Sequence, residues 1–238
     1  MPLNQAGAGG MSSYILGLRD CGPCKPLAGR FQTQRESILP SPKQWGASIA
    51  SDLRRIIFIL GGALLVLWLV LLSNALFFDG QLARFGIVPR TLEGLRGIAF
   101  APFLHAGTAH LAANSVGLLI FGGLVLLRNE THFWLVALIG ALLGGFGTWL
   151  FGRPLIHIGA SGVIFAWFGY LLSTGVFERR LGAILLSLLA VFGWGGLIYG
   201  VLPGQPGVSW ESHLFGVISG ICAAWLIARN RRSQAKGV

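Results

Sequence analysis

Long apolar stretches separated by short polar breaks dominate the chain, and this pattern predicts membrane-spanning helices. A helix needs about 20 predominantly apolar residues to cross the hydrocarbon core of a bilayer. The stretches of about that length are 56–78, 101–127, 133–151, 154–177, 181–201 and 212–228. The sequence therefore predicts an all-α membrane protein that is a bundle of six transmembrane helices.

The regions outside these stretches have a different character. Residues 1–45 are rich in Gly, Ser, Pro, Gln and Arg without sustained periodicity, which predicts a basic, disordered cytoplasmic tail. Residues 46–230 form the predicted membrane domain, and 231–238 a second short basic tail. The long break at 79–100 contains many apolar residues, which favours short amphipathic pieces in the membrane interface over a solvated loop.

Composition supports the membrane assignment and excludes other classes. Hydrophobic residues make up 54% of the chain and charged residues only 11%, against about 25% charge in soluble domains. The net charge of +10 does not indicate nucleic-acid binding, because the charges lie in the breaks and at the two ends. Cys21 and Cys24 have the spacing of a redox or metal pair, but no second pair completes a zinc site. Cys222 is interpreted as a packing residue, and we expect no metal or cofactor.

The distribution of Lys and Arg predicts the orientation. Cytoplasmic segments of membrane proteins carry an excess of these residues. Of the 18 Lys and Arg, all but four fall on the side that holds both termini; the four are Arg84, Arg90, Arg96 and Arg153. The pattern predicts cytoplasmic termini, so that the second, fourth and sixth spans enter from the outer face. A bacterial plasma membrane is the expected location.

Five polar residues lie near the starts of those three spans. They are Ser161, His213, His110, Asn114 and His105. The predicted orientation places all of them at one depth, in the outer half of the membrane. Polar side chains in lipid are costly and face the bundle interior or a water-filled cavity. A hydroxyl and an imidazole at matching depth indicate hydrolysis inside the bilayer.

Ser161 and His213 each have an ordinary structural explanation to set beside the catalytic one. A serine in a membrane helix usually bonds back to its own helix, but Gly159 and Gly162 flank Ser161 and expose its hydroxyl. A histidine is often a satisfied buried residue. His213 is followed by Gly216 and Gly220, whose spacing of four forms a ridge for close helix packing. If the fourth helix is the neighbour, His213 reaches Ser161.

The other histidines divide between the site and its surroundings. His110 and Asn114 are four residues apart on one helix face, as expected of an oxyanion hole or of a polar packing pair. His105 is interpreted as shaping the entry to its helix. His157 is taken for a loop residue rather than a base, and His132 for an interfacial residue on the cytoplasmic side.

Taken together, these motifs resemble those of rhomboid intramembrane serine proteases. The matching residues, in the family's order, are His105, the run from His110 to Asn114, Gly159 to Gly162, His213, Gly216 and Gly220. The resemblance implies a Ser–His dyad with Ser161 as nucleophile and His213 as general base. It also implies an oxyanion hole of Asn114, His110 and backbone amides at Ser161, and an aromatic stack of Phe165 on the histidine.

The expected function is therefore a serine endopeptidase that cleaves transmembrane protein substrates near the outer membrane face, without a cofactor. The alternative is an inactive rhomboid-like protein that binds membrane proteins without cutting them. Such relatives lose the serine or histidine or carry a proline before the serine, whereas Ala160 precedes Ser161 here. A transporter would need acidic residues in its spans, and the six stretches contain none. A zinc protease would need a His-Glu-x-x-His run, which the sequence does not contain.

Overall fold

Each predicted apolar stretch overlaps one long helix, but the second and fourth helices begin seven residues later than predicted, at Thr108 and Ser161. The computed structural model describes the backbone of residues 42–236 and the side chains of 50–234. The predictions for residues 1–41, including the Cys21 and Cys24 pair, lie outside the described residues. The chain divides into two compact units, Met1–Ala50 and Ser51–Val238. The description that follows concerns the second unit.

Six long helices follow one another in the described part of the chain. They are α1 (Pro42–Phe77), α2 (Thr108–Arg128), α3 (Glu130–Phe151), α4 (Ser161–Glu178), α5 (Leu181–Val201) and α6 (Trp210–Lys236). Both α2 and α3 contain one π-helical turn, and the last seven residues of α5 are 3₁₀-helical. The described residues contain no strand, only one isolated bridge between Ile87 and His157.

Five of these helices are long and apolar enough to cross a membrane, and α4 is the exception. The reason is its position: eleven of its eighteen residues are buried, among them Tyr170, Gly169 and Thr174. Polar side chains in the interior of a membrane bundle find partners there, as Tyr170 does with His132 and Thr174 with Glu178, which makes the composition of α4 less apolar. The all-α membrane fold is confirmed, and the crossing of the membrane by α4 stays a prediction.

The second apolar stretch does not become helical where the sequence predicts it. We expect a span from residue 101, but α2 begins at Thr108, after a 3₁₀ turn over Ala101–Phe103 and an extended Gly107. Tertiary hydrogen bonds explain the difference. The carbonyl of Ala101 accepts the amide of Leu104 at 3.1 Å, which closes the 3₁₀ turn, and the amide of Gly159 at 2.9 Å, so neither lone pair is left for the amide of His105 that an α-helix would bond. His105 consequently precedes α2 instead of lying within it.

Helices α4 and α6 are in backbone contact along their length. A methyl group at Gly216 would overlap the carbonyl of Gly162, and one at Gly220 would overlap the carbonyl of Ala166. A methyl group at Gly169 of α4 would in turn overlap the backbone of Val217. Small residues on both helices therefore bring their axes close, as is typical of helix pairs in membranes.

An ionic cluster closes the end of the bundle where α4 ends. Glu178 is 5% exposed and binds Arg128 of α2 at 2.5 Å and Arg231 of α6 at 3.1 Å. Arg231 also contacts His132 of α3, whose Nδ1 lies 2.7 Å from the hydroxyl of Tyr170. One carboxylate thus joins three helices. At this end Arg55 of α1 pairs with Glu130, close to Arg128 in the chain.

The segment between α1 and α2 consists of short helical turns. They cover Gln81–Phe85, Leu92–Leu95 and Gly97–Phe100. Gly94 and Gly97 pack directly on the backbone of residues 86–88, where a side chain would overlap. Leu92 is 86% exposed. Short pieces with an exposed apolar face match the predicted amphipathic character of this segment.

Candidate active site

Ser161 is the first residue of α4 and lies at the edge of a cavity. Its side chain is nearly buried, and none of the described residues forms a hydrogen bond with its hydroxyl. The usual bond of a helical serine to the carbonyl four residues earlier is not formed; that carbonyl belongs to His157, which precedes the helix and accepts the amide of Ile87. The hydroxyl is therefore available for another partner.

The turn before Ser161 requires a glycine. Gly159 has φ +122°, a backbone conformation that residues with a side chain rarely adopt. A methyl group at this position would also lie 2.8 Å from His110 Nε2 and 3.4 Å from Asn114 Nδ2. These two side chains of α2 therefore converge on the turn that leads into Ser161.

Asn114 contributes a buried hydrogen-bond donor without a partner. Its Nδ2 atom is buried, and no described residue accepts a hydrogen bond from it. An unsatisfied buried donor costs about 1–3 kcal/mol, so proteins keep few of them. Its position against the turn of Ser161 makes Asn114 suited to binding an oxygen atom that arrives with a ligand.

His105 supports the same turn from outside the helices. Its Nε2 accepts the backbone amide of Ala160 at 3.3 Å, and its ring contacts that of His110 edge-on, with centroids 5.2 Å apart. Burial, with a smaller contribution from His110, lowers the pKa of His105 to about 4. His105 is therefore neutral at physiological pH, the form that accepts a hydrogen bond.

His213 lies in the first turns of α6, on the face that meets α4. Its ring is stacked on Phe165 with a centroid distance of 4.1 Å and an angle of 8° between the planes. Its Nδ1 lies 2.9 Å from the carbonyl oxygen of Gly200 in α5. Because a carbonyl only accepts hydrogen bonds, Nδ1 carries the proton of the neutral ring and Nε2 has a free lone pair.

Five of the predicted site residues line one cavity of 590 Å³; they are His110, Asn114, Ser161, Phe165 and His213. Ser161, His213, His110 and Asn114 all contribute to its wall, while no direct hydrogen bond joins Ser161 to His213. Catalytic hydrogen bonds are often long in proteins without substrate. One and two turns further along α2 and α4 the wall becomes apolar; it is formed there by Gly117, Phe121 and Ile164. The cavity thus combines a polar end with an apolar extension.

Comparison with known proteins identifies the family of this chain. Residues 93–230 match the Rhomboid domain family, a range that contains every predicted site residue. The chain belongs to the rhomboid family. An uncharacterized protein of Mycobacterium tuberculosis is 40% identical over 193 residues, which are 75% of this chain and 80% of that protein.

Two further relatives extend the comparison. An uncharacterized Mycobacterium leprae protein is 39% identical over 198 residues, covering 76% of this chain and 78% of its own. The Bacillus subtilis protein YdcA, whose name provisionally classes it as a rhomboid protease, is 30% identical over 139 residues. These are 55% of this chain and 66% of YdcA.

The loops around this rhomboid site are held together by polar contacts that the apolar pattern does not reveal. Glu211, at the start of α6, is only 1% exposed and binds Arg153 at 2.5 Å. His157 Nδ1 lies 2.6 Å from Ser209 Oγ, and its Nε2 lies 3.0 Å from the carbonyl of Arg153. Both ring nitrogens of His157 are therefore occupied, which agrees with its interpretation as a loop residue rather than a base.

Gly200 contacts the candidate site, and sequence reasoning missed it. It belongs to α5, which carries no predicted polar site residue, and it acts through its backbone. Its only local signal is a glycine three residues before Pro203 at the end of an apolar stretch. The described residues also contain no cluster of His, Cys, Asp and Glu that could hold a metal ion.

Proposed function

We propose that this rhomboid chain is an intramembrane serine endopeptidase in which Ser161 is the nucleophile and His213 the general base. The observation that carries the proposal is the shared cavity of Ser161, His213, His110 and Asn114. Four residues from three helices contribute a nucleophile, a base and two hydrogen-bond donors to one cavity. If each of these residues had only a structural role, the four side chains would not need to line the same cavity.

The chemistry follows from the available atoms. The Oγ atom of Ser161 forms a bond to the scissile carbonyl carbon while Nε2 of His213 takes the hydroxyl proton. The carbonyl oxygen becomes an oxyanion and accepts hydrogen bonds from Asn114 Nδ2 and the His110 ring. When the carbon–nitrogen bond breaks, the leaving amine takes the proton from Nε2, and an acyl-enzyme remains.

A water molecule completes the cycle. Nε2 of His213 removes a proton from the water as its oxygen attacks the ester carbonyl. The ester bond breaks, Ser161 Oγ recovers the proton, and the carboxylic acid product leaves. The Nδ1 proton stays in place through both halves. No metal or cofactor takes part in any of these steps.

The substrates we propose are transmembrane segments of other proteins, cut near the outer face of a bacterial plasma membrane. The positive-inside rule supports this orientation, with both termini cytoplasmic and six crossings that include α4. A closed helix hides its carbonyl groups, so segments with helix-breaking or small residues near the cut are the preferred substrates. The lipid bilayer is the other partner.

Cleavage of a model transmembrane substrate by the detergent-purified protein tests the proposal. We expect Ser161→Ala to abolish cleavage and labelling by a fluorophosphonate probe. Ser173→Ala is the matched control, because Ser173 lies on the same helix and its hydroxyl bonds to the backbone of Gly169. A parent protein that neither cuts nor reacts would support the inactive, substrate-binding alternative. Equal labelling of the parent and Ser161→Ala would exclude Ser161 as the nucleophile.

A further inference from the structure

The carbonyl of Gly200, near the end of α5, has no helical partner. Residues Gly195–Val201 form a 3₁₀ helix, in which each carbonyl accepts the amide three residues later. Accordingly, Tyr199 O accepts the amide of Leu202 at 3.2 Å. The next carbonyl, that of Gly200, would need the amide of residue 203. Residue 203 is proline, which has no amide hydrogen.

The imidazole of His213 takes the place of that missing donor. Its Nδ1 lies 2.9 Å from Gly200 O, so the carbonyl accepts a side-chain hydrogen bond from α6. Gly200 also leaves room for the stacked rings: a methyl group there would lie 3.1 Å from Phe165 Cζ and 3.4 Å from His213 Nδ1. The ring is therefore held in plane by Phe165 and at its edge by Gly200.

We propose that Gly200 and Pro203 together form the positioning device of the base, with the carbonyl of Gly200 in the role that a carboxylate has in a catalytic triad. The carboxylate of a triad holds the imidazole in the productive tautomer and stabilises the imidazolium that forms. A carbonyl with no competing backbone donor does the same for His213, keeping the proton on Nδ1 and the lone pair on Nε2. The inference rests on the proposed role of His213.

The substitution Pro203→Ala tests the device because it restores an amide hydrogen at the position that suits Gly200 O. The restored amide competes with His213 for the carbonyl. Leu202→Ala is the matched control, since it alters the neighbouring, half-exposed side chain and leaves both the proline and the amide of residue 202 unchanged. Two readouts are needed, one for the tautomer and one for catalysis.

The tautomer is read from the ¹⁵N spectrum of the detergent-solubilised protein labelled at histidine, with the His213 signals assigned by their absence in His213→Asn. We expect the parent and Leu202→Ala to show the tautomer protonated at Nδ1. In Pro203→Ala we expect a mixture that includes protonation at Nε2. In the cleavage assay, kcat of Pro203→Ala falls about tenfold at unchanged KM, the order expected for one hydrogen bond to a group that becomes charged.

A second pair of variants covers the case that Pro203→Ala does not fold. Gly200→Ala places a methyl group against Phe165 and His213, whereas Gly196→Ala, in the same 3₁₀ helix, meets no atom within 4 Å. We expect a lower kcat for the first only. An unchanged tautomer and kcat in Pro203→Ala, or equal losses in Gly200→Ala and Gly196→Ala, would overturn the inference.

The two readouts separate this inference from the proposed function. The tautomer is measured without substrate, so a protein that cuts nothing would refute the protease while the shifted tautomer of Pro203→Ala still supported the hydrogen bond. If the parent is active and the tautomer of His213 is the same in the parent and in Pro203→Ala, the positioning device is refuted and the proposed protease function is not.

Discussion

The ring of Phe165 lies parallel to the imidazole of His213, with centroids 4.1 Å apart and an angle of 8° between the planes. Stacking on a buried ring fixes the plane of an imidazole that has no carboxylate partner among the described residues. We expect Phe165→Leu to reduce kcat by about tenfold to a hundredfold, because the freed ring loses its productive orientation. Steady-state cleavage in detergent measures the effect.

Phe168→Leu is the control for this prediction. Phe168 is 1% exposed and contacts the edge of Phe165, but it does not stack on His213. Both substitutions remove a buried aromatic ring, so they lower stability by similar amounts, on the order of 1 kcal/mol. A kcat reduced equally in both variants would show that lost packing, not lost stacking, limits catalysis.

Asn114→Ala should separate activity from stability. Removal of an oxyanion-hole donor reduces kcat by about 10²–10³-fold. It also removes a buried amide nitrogen that has no partner among the described residues, so the free energy of unfolding should not decrease. Cleavage kinetics and reversible unfolding in mixed detergent measure the two quantities. A fall of more than about 2 kcal/mol in stability with kcat intact would assign Asn114 to structure instead.

Asn114→Asp is the companion variant. It keeps the shape of the side chain and replaces the donor nitrogen with an acceptor oxygen, which repels an oxyanion. We expect a loss of kcat at least as large as that of Asn114→Ala. Retained activity would contradict the donor role.

Gly220→Ala should destabilise the bundle and inactivate it. The added methyl group would overlap the carbonyl of Ala166, so α4 and α6 have to separate, at a cost of about 3 kcal/mol. Gly61→Ala in α1 provides the comparison, because a methyl group there meets no atom within 4 Å. Its greater helix propensity leaves stability unchanged or raised by up to about 1 kcal/mol. Equal effects of the two substitutions would exclude a specific contact between α4 and α6.

Glu178→Gln should lower the free energy of unfolding by about 3 kcal/mol, because it leaves Arg128 and Arg231 without their shared carboxylate in a largely buried place. Glu130→Gln removes a carboxylate that is 39% exposed, and its pair with Arg55 should contribute less than about 1 kcal/mol. Unfolding titrations of both variants test the difference. Similar losses would mean that burial does not strengthen the Glu178 cluster.

The low pKa of His105 predicts a pH dependence of stability. Burial keeps this ring neutral in the folded protein down to about pH 4, whereas the unfolded chain binds a proton near pH 6.5. The unfolded state is therefore stabilised by protonation between these values, and stability falls as the pH is lowered from 6.5 to 4. His105→Gln, which keeps an acceptor for Ala160, should show a smaller fall. An identical pH dependence of unfolding in parent and variant would contradict this assignment.

The sequence predicts a helix or a helix contact well where a single local property, such as apolar length or side-chain size, determines it. Apolar length locates the helices, and the spacing of Gly216 and Gly220 indicates the face of α6 that packs closely, because small side chains act through size alone. The start of α2 is missed by seven residues, because the carbonyl of Ala101 bonds to the amides of both Leu104 and Gly159, and Gly159 is far away in sequence. Sequence reasoning misses Gly200 for a related reason. Its backbone carbonyl lacks a helical partner only once the 3₁₀ helix has formed, and the residue has no side chain that would indicate a role.

The ionic contacts of Arg55, Arg128 and Arg231 also indicate which helix ends lie at the same end of the bundle. Arg55 in the first half of α1 binds Glu130, and Arg128, two residues before Glu130, shares Glu178 with Arg231 near the end of α6. Arg55 of α1 and Arg231 of α6 therefore lie at the same end of the bundle. The five helices that are long and apolar enough to cross a membrane would, taken without α4, place Arg55 and Arg231 at opposite ends of the bundle. The helix that is missing from these five is α4, which begins with Ser161.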